Sequence, residues 1–261
     1  MANNNTEILN VEQIFESKYV VPLYQRNFAW GEEQITRLLQ DISESLHSGE
    51  LQYHIGSLVV IQRKNGEYEV IDGQQRLTTL ALLSYVLQFN IKTEIHYDSR
   101  PEVELFLAAI AKGQQISNND PAVSHFFECI NILTEGINTL ESQSRYDGFK
   151  EKFTEFVRDH VCLVREIMPQ DTDVASYFEI MNNRGEQLQE HEIIKGLLLE
   201  KLKDSPKLSR TCSVIWDACS QMNERIQKSF TKSTRTALFG EDYDDFIPNE
   251  QNYTEIWLSN V

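Results

Sequence analysis

The sequence lacks several features that define large classes of protein. Its 261 residues contain no run that approaches the roughly 20 apolar residues of a membrane-spanning helix. The polar segment 1–5 has no apolar core of the kind that a signal peptide carries. We therefore expect a cytoplasmic protein that makes no contact with a membrane.

Cysteine is scarce, and its spacing favours neither a metal site nor a disulfide. Cys129, Cys162, Cys212 and Cys219 form no CxxC pair and no pattern with paired histidines. We expect reduced thiols in a cytosolic protein. His125 precedes Cys129 by one helical turn, and we assign the pair to packing because thiol–histidine catalysis needs more than this proximity.

An excess of basic residues is also absent. The chain has 24 lysines and arginines against 40 acidic residues, a net charge of -16 and a pI of about 4.8. This balance argues against a non-specific nucleic-acid binder, which usually presents a basic face. It leaves room for a small basic pocket, because net charge says little about one site.

The common nucleotide and hydrolase motifs are missing as well. The sequence has no GxxxxGK[ST] loop, no GxGxxG after a strand and no nucleophile elbow around Ser57. The segment 191–195 begins like a zinc-protease motif, but Lys195 stands where the second histidine would be. These families are therefore not supported.

The most informative segment that is present runs from residue 70 to residue 80. Two apolar residues lead into the turn-forming pair Asp72-Gly73, and a leucine-rich helical pattern follows. A strand, a tight turn and a helix N-terminus point backbone N–H groups and a positive dipole at an anion. We interpret the segment as a phosphate site whose mouth is crowded by three polar side chains, Gln74, Gln75 and Arg76.

The remaining patterns predict an α+β fold. Strands are predicted at 19–23, 53–61, 68–71, 92–97 and 161–167. Helices are predicted at 6–15, 32–47, 76–89, 102–112, 121–139, 145–158, 191–202 and 208–229. The Asn65-Gly66 pair predicts a hairpin whose second strand leads directly into the turn at Asp72.

Three polar clusters occur where regular elements meet. The first is Gln25-Arg26, the second is the segment 72–76, and the third is 182–185 with Lys195 downstream. Each combines amides with a guanidinium, and arginine binds phosphate through two parallel hydrogen bonds. Asp72 has two alternative roles, holding a divalent cation or positioning a water molecule. We hypothesise that the clusters converge on one site.

Three segments together resemble a known family. Residues 21–30, 72–80 and 177–188 are similar, in order and spacing, to the DGQQR-motif domain of GmrSD-type restriction proteins, over nearly the whole chain. The resemblance implies a ParB/sulfiredoxin-like α+β fold, with a small mixed sheet and a surrounding, mainly helical extension.

The resemblance also implies how the chain is divided. Residues 1–100 would form the core with the DGQQR motif. Residues 101–205 would form a helical insertion whose strand and NNRG loop complete the site. Residues 206–261 would form a helical C-terminal extension.

The function implied by the resemblance is binding and hydrolysis of a nucleotide in defence against phage or modified DNA. Asp72, Arg76 and Arg26 would be catalytic, and Asp72 would hold Mg²⁺. The residues that would bind the nucleotide are Gln25, Arg26, Gly73, Gln74, Gln75, Arg76, Asn183, Arg184 and Lys195.

Members of this family often continue into an HNH-type nuclease domain. The sequence shows no such motif, so we expect the N-terminal module, with a nuclease in cis or in trans and DNA reached through that partner. Three hypotheses stay open: an NTP-hydrolysing regulatory domain, a DNA-recognition module without turnover, and a nucleotide sensor that binds without hydrolysis.

Overall fold

A computed structural model describes most of the first 220 residues of the chain. The described residues are 5–89, 94–98, 101–112, 114, 123–172, 177, 190–202, 205–220 and 236. The predicted loop with Asn183 and Arg184 lies outside them, as does the part of the last predicted helix after residue 220.

A six-stranded mixed sheet organises the fold. Its strands are β1 (Asn5–Asn10), β2 (Lys18–Val21), β3 (Tyr53–Gln62), β4 (Tyr68–Asp72), β5 (Glu94–Tyr97) and β6 (Val161–Met168). The order across the sheet is β1-β6-β3-β4-β2-β5. The pairs β1–β6 and β3–β4 are antiparallel, whereas β6–β3, β4–β2 and β2–β5 are parallel.

Helices accompany the sheet, which makes the fold α+β as predicted. They are α1 (Val11–Ile14), α2 (Glu32–Ser48), α3 (Gln74–Val86), α4 (Pro101–Ala111), α5 (Ser124–Gln143), α6 (Phe149–Asp159), α7 (Glu190–Lys201) and α8 (Pro206–Ser220). The chain divides into two compact units, Met1–Ser213 and Val214–Val261. The elements of the sheet all belong to the first unit.

The predicted hairpin between β3 and β4 is confirmed. Gly66 adopts a φ of +88°, which the Asn-Gly turn supplies without a steric cost. Val60 then pairs with Val70, and a register shift lies between Val59 and Val60. The second strand of the hairpin ends at Asp72, which pairs with Val59 in the middle of the sheet.

The core lies on one face of this sheet. Alternate strand residues point into it, among them Tyr19, Val21, Leu58, Val60, Val70, Ile95 and Leu163. The helix α3 is buried around most of its circumference, and its buried hydroxyls on Thr79 and Ser84 donate to main-chain carbonyls one turn earlier. On α5, a Cβ added to Gly136 would lie 2.6 Å from Leu39 Cδ1 of α2, so the glycine allows these two helices to approach closely.

The prediction of one helix over residues 6–15 is wrong. Residues 5–10 form β1, which pairs with β6 so that Ile8 lies opposite Val164, and only α1 is helical. The side chain of Asn10 accepts a hydrogen bond from the N–H of Gln13 at 2.8 Å and caps the helix. Strand pairing with a segment about 150 residues away overrides the local helical spacing.

The other predicted elements are found close to their predicted bounds. Pro101 begins α4, as its fixed φ favours at the first position of a helix. Among the described helices, none is both long enough and apolar enough to cross a bilayer.

Candidate functional site

At the turn between β4 and α3, the strand passes through one glycine into the N-terminus of a helix. Asp72 ends the strand, Gly73 is the N-cap with a φ of +93°, and Gln74 begins the helix. A Cβ on Gly73 would lie 2.8 Å from Ser57 O, so only glycine fits there. The first N–H groups of a helix have no acceptor within it, and they lie at its positive end. The strand, turn and helix predicted from the sequence are thus confirmed.

Arg76 lies beside this turn, on a glycine of the neighbouring strand. Its Nη1 donates a hydrogen bond to Ser57 O at 3.0 Å. Gly56 has a φ of +122° at an irregularity in β3, and an added Cβ would lie 3.2 Å from the Nε of Arg76. Because Gly56 has no side chain, the half-buried guanidinium of Arg76 can pack directly against the strand.

Gln74 has an unusual environment for an amide. The residue is 3% exposed, and neither its Nε2 nor its Oε1 has a hydrogen-bond partner among the described residues. A buried polar group without a partner costs about 1–3 kcal/mol. The first residue of α3 is therefore held at a cost to stability next to the candidate site.

Gln25 ties the first polar cluster to the same region. Its buried Nε2 donates hydrogen bonds to Ile71 O at 2.8 Å and to Val70 O at 3.2 Å. These carbonyls belong to the two residues that precede Asp72. The first and second clusters therefore lie together, whereas the loop of the third cluster lies outside the described residues.

Gln75 ties the same loop to α3 from the opposite direction. Its Oε1 accepts hydrogen bonds from the N–H of Ala29 at 2.8 Å and of Trp30 at 3.2 Å. Its Nε2 donates to Asn27 O at 3.0 Å. Arg26, whose side chain is exposed, lies between these attachments.

The far side of this loop packs on α5. His125 Nε2 donates to Trp30 O at 3.0 Å, and Cys129 Sγ donates to the same carbonyl at 3.3 Å. Burial, followed by the charge of Glu128, raises the pKa of Cys129 to about 12. The thiol therefore stays protonated, and the pair serves packing. Cys129 and Cys162 are buried free thiols.

Two carboxylates flank one residue of β3. Val59 pairs with Asp72 on β4 and with Glu166 on β6. Strand spacing places the two acidic Cα atoms about 10 Å apart. Burial, followed by the negative charges of Asp72 and Glu166, raises the pKa of Tyr177 to about 12. The phenol is therefore protonated at neutral pH and lies within electrostatic reach of both carboxylates.

Glu166 and Tyr177 are residues that the sequence analysis did not select. The signal for Glu166 was an acidic residue inside a predicted apolar strand. Tyr177 begins the third segment of the family pattern, whereas the candidate residues Asn183 and Arg184 come from the loop that follows it.

Lys195 lies in a helix that packs beside Tyr24, the residue before the first polar cluster. The residue is 3% exposed, and a Cβ on the adjacent Gly196 would lie 3.9 Å from Tyr24 Cβ. Ser213 Oγ donates a hydrogen bond to Leu23 O at 3.1 Å. The structure thus brings α7, the end of the first unit and the loop before Gln25 together.

Asp72 and Glu166 are the carboxylates on which a magnesium ion would depend here. Within the residues described, no group of three or more His, Cys, Asp or Glu side chains is arranged to hold a metal. Mg²⁺ usually takes one or two carboxylates together with phosphate oxygens and waters. For that smaller requirement, Asp72 would be the first carboxylate and Glu166, across β3, the second.

Comparison with known families identifies the class of protein. Residues 6–199 match the family model described as GmrSD restriction endonuclease, N-terminal domain. Since the match covers well over half of the chain, this protein belongs to that family. It is accordingly a component of a restriction system, which serves phage defence. A search of curated proteins finds no match.

Proposed function

We propose that this protein binds a nucleoside triphosphate at the turn between β4 and α3 and hydrolyses it to control a nuclease in cis or in trans. The observation that carries the proposal is the N-terminus of α3. Gly73 is the N-cap of that helix, and the side chain of Arg76 packs beside it against Gly56. This combination is a general solution for binding phosphate.

The two arginines supply the remaining positive charge. Within the described chain, Arg76 uses one of its five N–H groups, on Ser57 O, which leaves donors for phosphate oxygens. Arg26 is exposed on a loop that is tied to the same turn. Catalysis of phosphoryl transfer depends mostly on positioning and on neutralising charge, and these side chains provide both.

Asp72 is the residue that would hold Mg²⁺, with Glu166 as the second carboxylate. When bound, the ion would supply charge neutralisation at the phosphates. Asp72 has the alternative role of orienting the attacking water. The protonated phenol of Tyr177 lies within electrostatic reach of both carboxylates.

A thermal-shift screen of the four common NTPs, with and without Mg²⁺, tests binding directly. Because a ligand of the native state stabilises it by mass action, a bound NTP raises Tm whether or not turnover occurs. Phosphate release then separates hydrolysis from binding. Binding without release would favour a nucleotide sensor.

Matched variants make the test specific. We expect Arg76→Ala and Asp72→Ala to lower phosphate release at least tenfold with the fold retained. Arg63→Ala is the control, since Arg63 pairs with Glu69 at 2.9 Å and lies about 20 Å along β3 from Ser57. Unchanged turnover in both test variants would contradict the proposal. Salt-dependent binding to duplex DNA without nucleotide binding would instead favour a DNA-recognition module.

A further inference from the structure

We propose that Gln75 is a positioning residue that acts through Arg26: with Gln25, it clamps the loop 25–30 onto the start of α3 and the end of β4. This inference rests on the proposed function, because Arg26 is the group that would meet the phosphate. The two glutamines themselves bind the protein's own main chain.

The first part of the clamp is Gln75, which is 8% exposed. Its Oε1 accepts from two successive N–H groups, those of Ala29 and Trp30, and its Nε2 donates to Asn27 O. The carbonyl oxygen has two lone pairs, and both are used. One buried side chain of α3 thus holds three main-chain groups within four residues of the loop.

The second part is Gln25, which reaches from the loop to the strand. Its Nε2 has two hydrogens, and these serve the carbonyls of Val70 and Ile71. A glutamine from the loop therefore bonds the strand before the turn, and a glutamine from the helix after the turn bonds the loop. These two sets of hydrogen bonds therefore involve residues directly before and directly after Asp72 and Gly73.

Arg26 lies between the two attachments in the sequence. Its neighbour Gln25 is bonded to β4, and its other neighbour, Asn27, is bonded to α3. The backbone of Arg26 is therefore held relative to the turn that would receive the phosphate. An arginine side chain has many rotamers, so fixing its backbone removes part of the entropy that ordering it on a ligand would cost.

This arrangement predicts which residues act as a unit. If Gln75 works by holding Arg26, removing Gln75 matters only while Arg26 is present. If Gln75 contacts the nucleotide itself, the two losses are independent and multiply. A double-mutant cycle distinguishes these cases.

The cycle compares wild type, Arg26→Ala, Gln75→Ala and the double variant. Affinity for the NTP that gives the largest thermal shift is measured by titration calorimetry with Mg²⁺, alongside phosphate release. We expect about a tenfold loss of affinity in each single variant, as for one charge-assisted hydrogen bond. The double variant is expected to match Arg26→Ala. A loss of about a hundredfold in the double variant would overturn the proposal.

Two further variants keep the test independent of folding losses. Gln75→Glu no longer donates to Asn27 O but keeps an acceptor for the N–H groups of Ala29 and Trp30, so hydrogen exchange at these two amides should stay slower than in Gln75→Ala. Gln34→Ala is the control. Gln34 Oε1 accepts from Gly31 N–H at 3.0 Å, at the end of the same loop but without a bond to α3. It should leave affinity within about twofold of wild type.

Amide hydrogen exchange separates failure of the clamp from failure of the proposed function. Gln75→Ala should accelerate exchange at Ala29 and Trp30, while the amides of β3 stay protected. Unchanged exchange at both residues would overturn the clamp. A wild-type protein that binds no NTP would overturn the proposed function, and with it the role assigned to Arg26, whatever the exchange shows.

Discussion

Arg165 belongs to strand β6 and Arg76 to helix α3, and their guanidinium groups have opposite surroundings. Arg165 is 6% exposed, and its Nε and Nη2 donate to Glu7 Oε2 at 2.9 and 2.6 Å. Its Nη1 donates to Ser17 Oγ at 2.8 Å and to Tyr19 Oη at 3.0 Å. The guanidinium also lies 4.3 Å from the centre of the Tyr68 ring, within the range of a cation–π contact.

Arg76 is half-buried and, within the described chain, donates only to Ser57 O. The residue type alone therefore does not decide the role of an arginine. A guanidinium whose donors are used by the protein stabilises the fold, whereas one with donors to spare is equipped to bind a ligand. Arg165 joins β6 to β1 and β2, and Arg76 stands at the mouth of the turn.

The largest effect on stability is expected at Arg165. Arg165→Ala removes a buried cation and leaves Glu7, Ser17 and Tyr19 without it. We expect a loss of about 3 kcal/mol in the free energy of unfolding, at the lower end for a broken buried pair because Glu7 is partly exposed. Urea unfolding followed by circular dichroism measures this. A loss below about 1 kcal/mol would show that the network is not structural.

The next largest effect is expected at Gly73. Gly73→Ala places a Cβ 2.8 Å from a main-chain oxygen, at a φ of +93°. We expect a loss of about 2 kcal/mol in stability and no measurable nucleotide binding, because the first turn of α3 must shift. Gly66→Ala is the control: Gly66 also has a positive φ, but a Cβ would meet nothing within 4 Å. Equal losses of stability in the two variants would mean that the positive φ causes the loss and that the contact with Ser57 O adds nothing.

Arg76→Ala tests the functional side of the comparison. We expect a loss of only about 1 kcal/mol in stability, the usual contribution of one hydrogen bond, with at least a tenfold loss of nucleotide affinity. Arg165→Lys is the useful contrast, since lysine cannot reproduce the planar, multiple bonding and should lower stability more than affinity. If Arg76→Ala destabilises as much as Arg165→Ala, the distinction between the two arginines is lost.

The smallest effect is expected in the pH dependence of stability. It contrasts Tyr19, which lies beside Arg165, with Tyr177, which lies near Asp72. Burial raises the pKa of Tyr19, but the charge of Arg165 opposes the rise. At Tyr177, burial and two carboxylates act together and raise the pKa from 10 to about 12. The folded state then holds this proton more tightly than the unfolded chain does. The contribution of Tyr177 is complete below about pH 10 and declines as the pH rises to about 12.

Unfolding experiments at about pH 9 and about pH 11 measure this decline. Tyr177→Phe should make the loss of stability between the two pH values smaller than in wild type. Tyr146→Phe is a control at an exposed ring. An identical pH dependence in Tyr177→Phe and wild type would contradict the assignment.

Much of the fold was predictable because it depends on neighbours in the chain. The Asn65-Gly66 hairpin, the Asp72-Gly73 turn and the amphipathic α2 all have local signals, and each is confirmed. The strand β1 was missed because its partner β6 lies far along the sequence. Its apolar spacing fits a helix equally well until that partner is present.

The α+β class, the turn that ends β4 and membership of the restriction family follow from local patterns and motifs in the sequence. Tertiary structure decided the use of each polar side chain. Gln25 reaches Ile71 and Gln75 reaches Ala29, each across 46 residues, and Arg165 reaches Glu7 across 158. A hydrogen bond requires its two groups within about 3 Å, and only the assembled sheet and helices bring groups so distant in the chain that close.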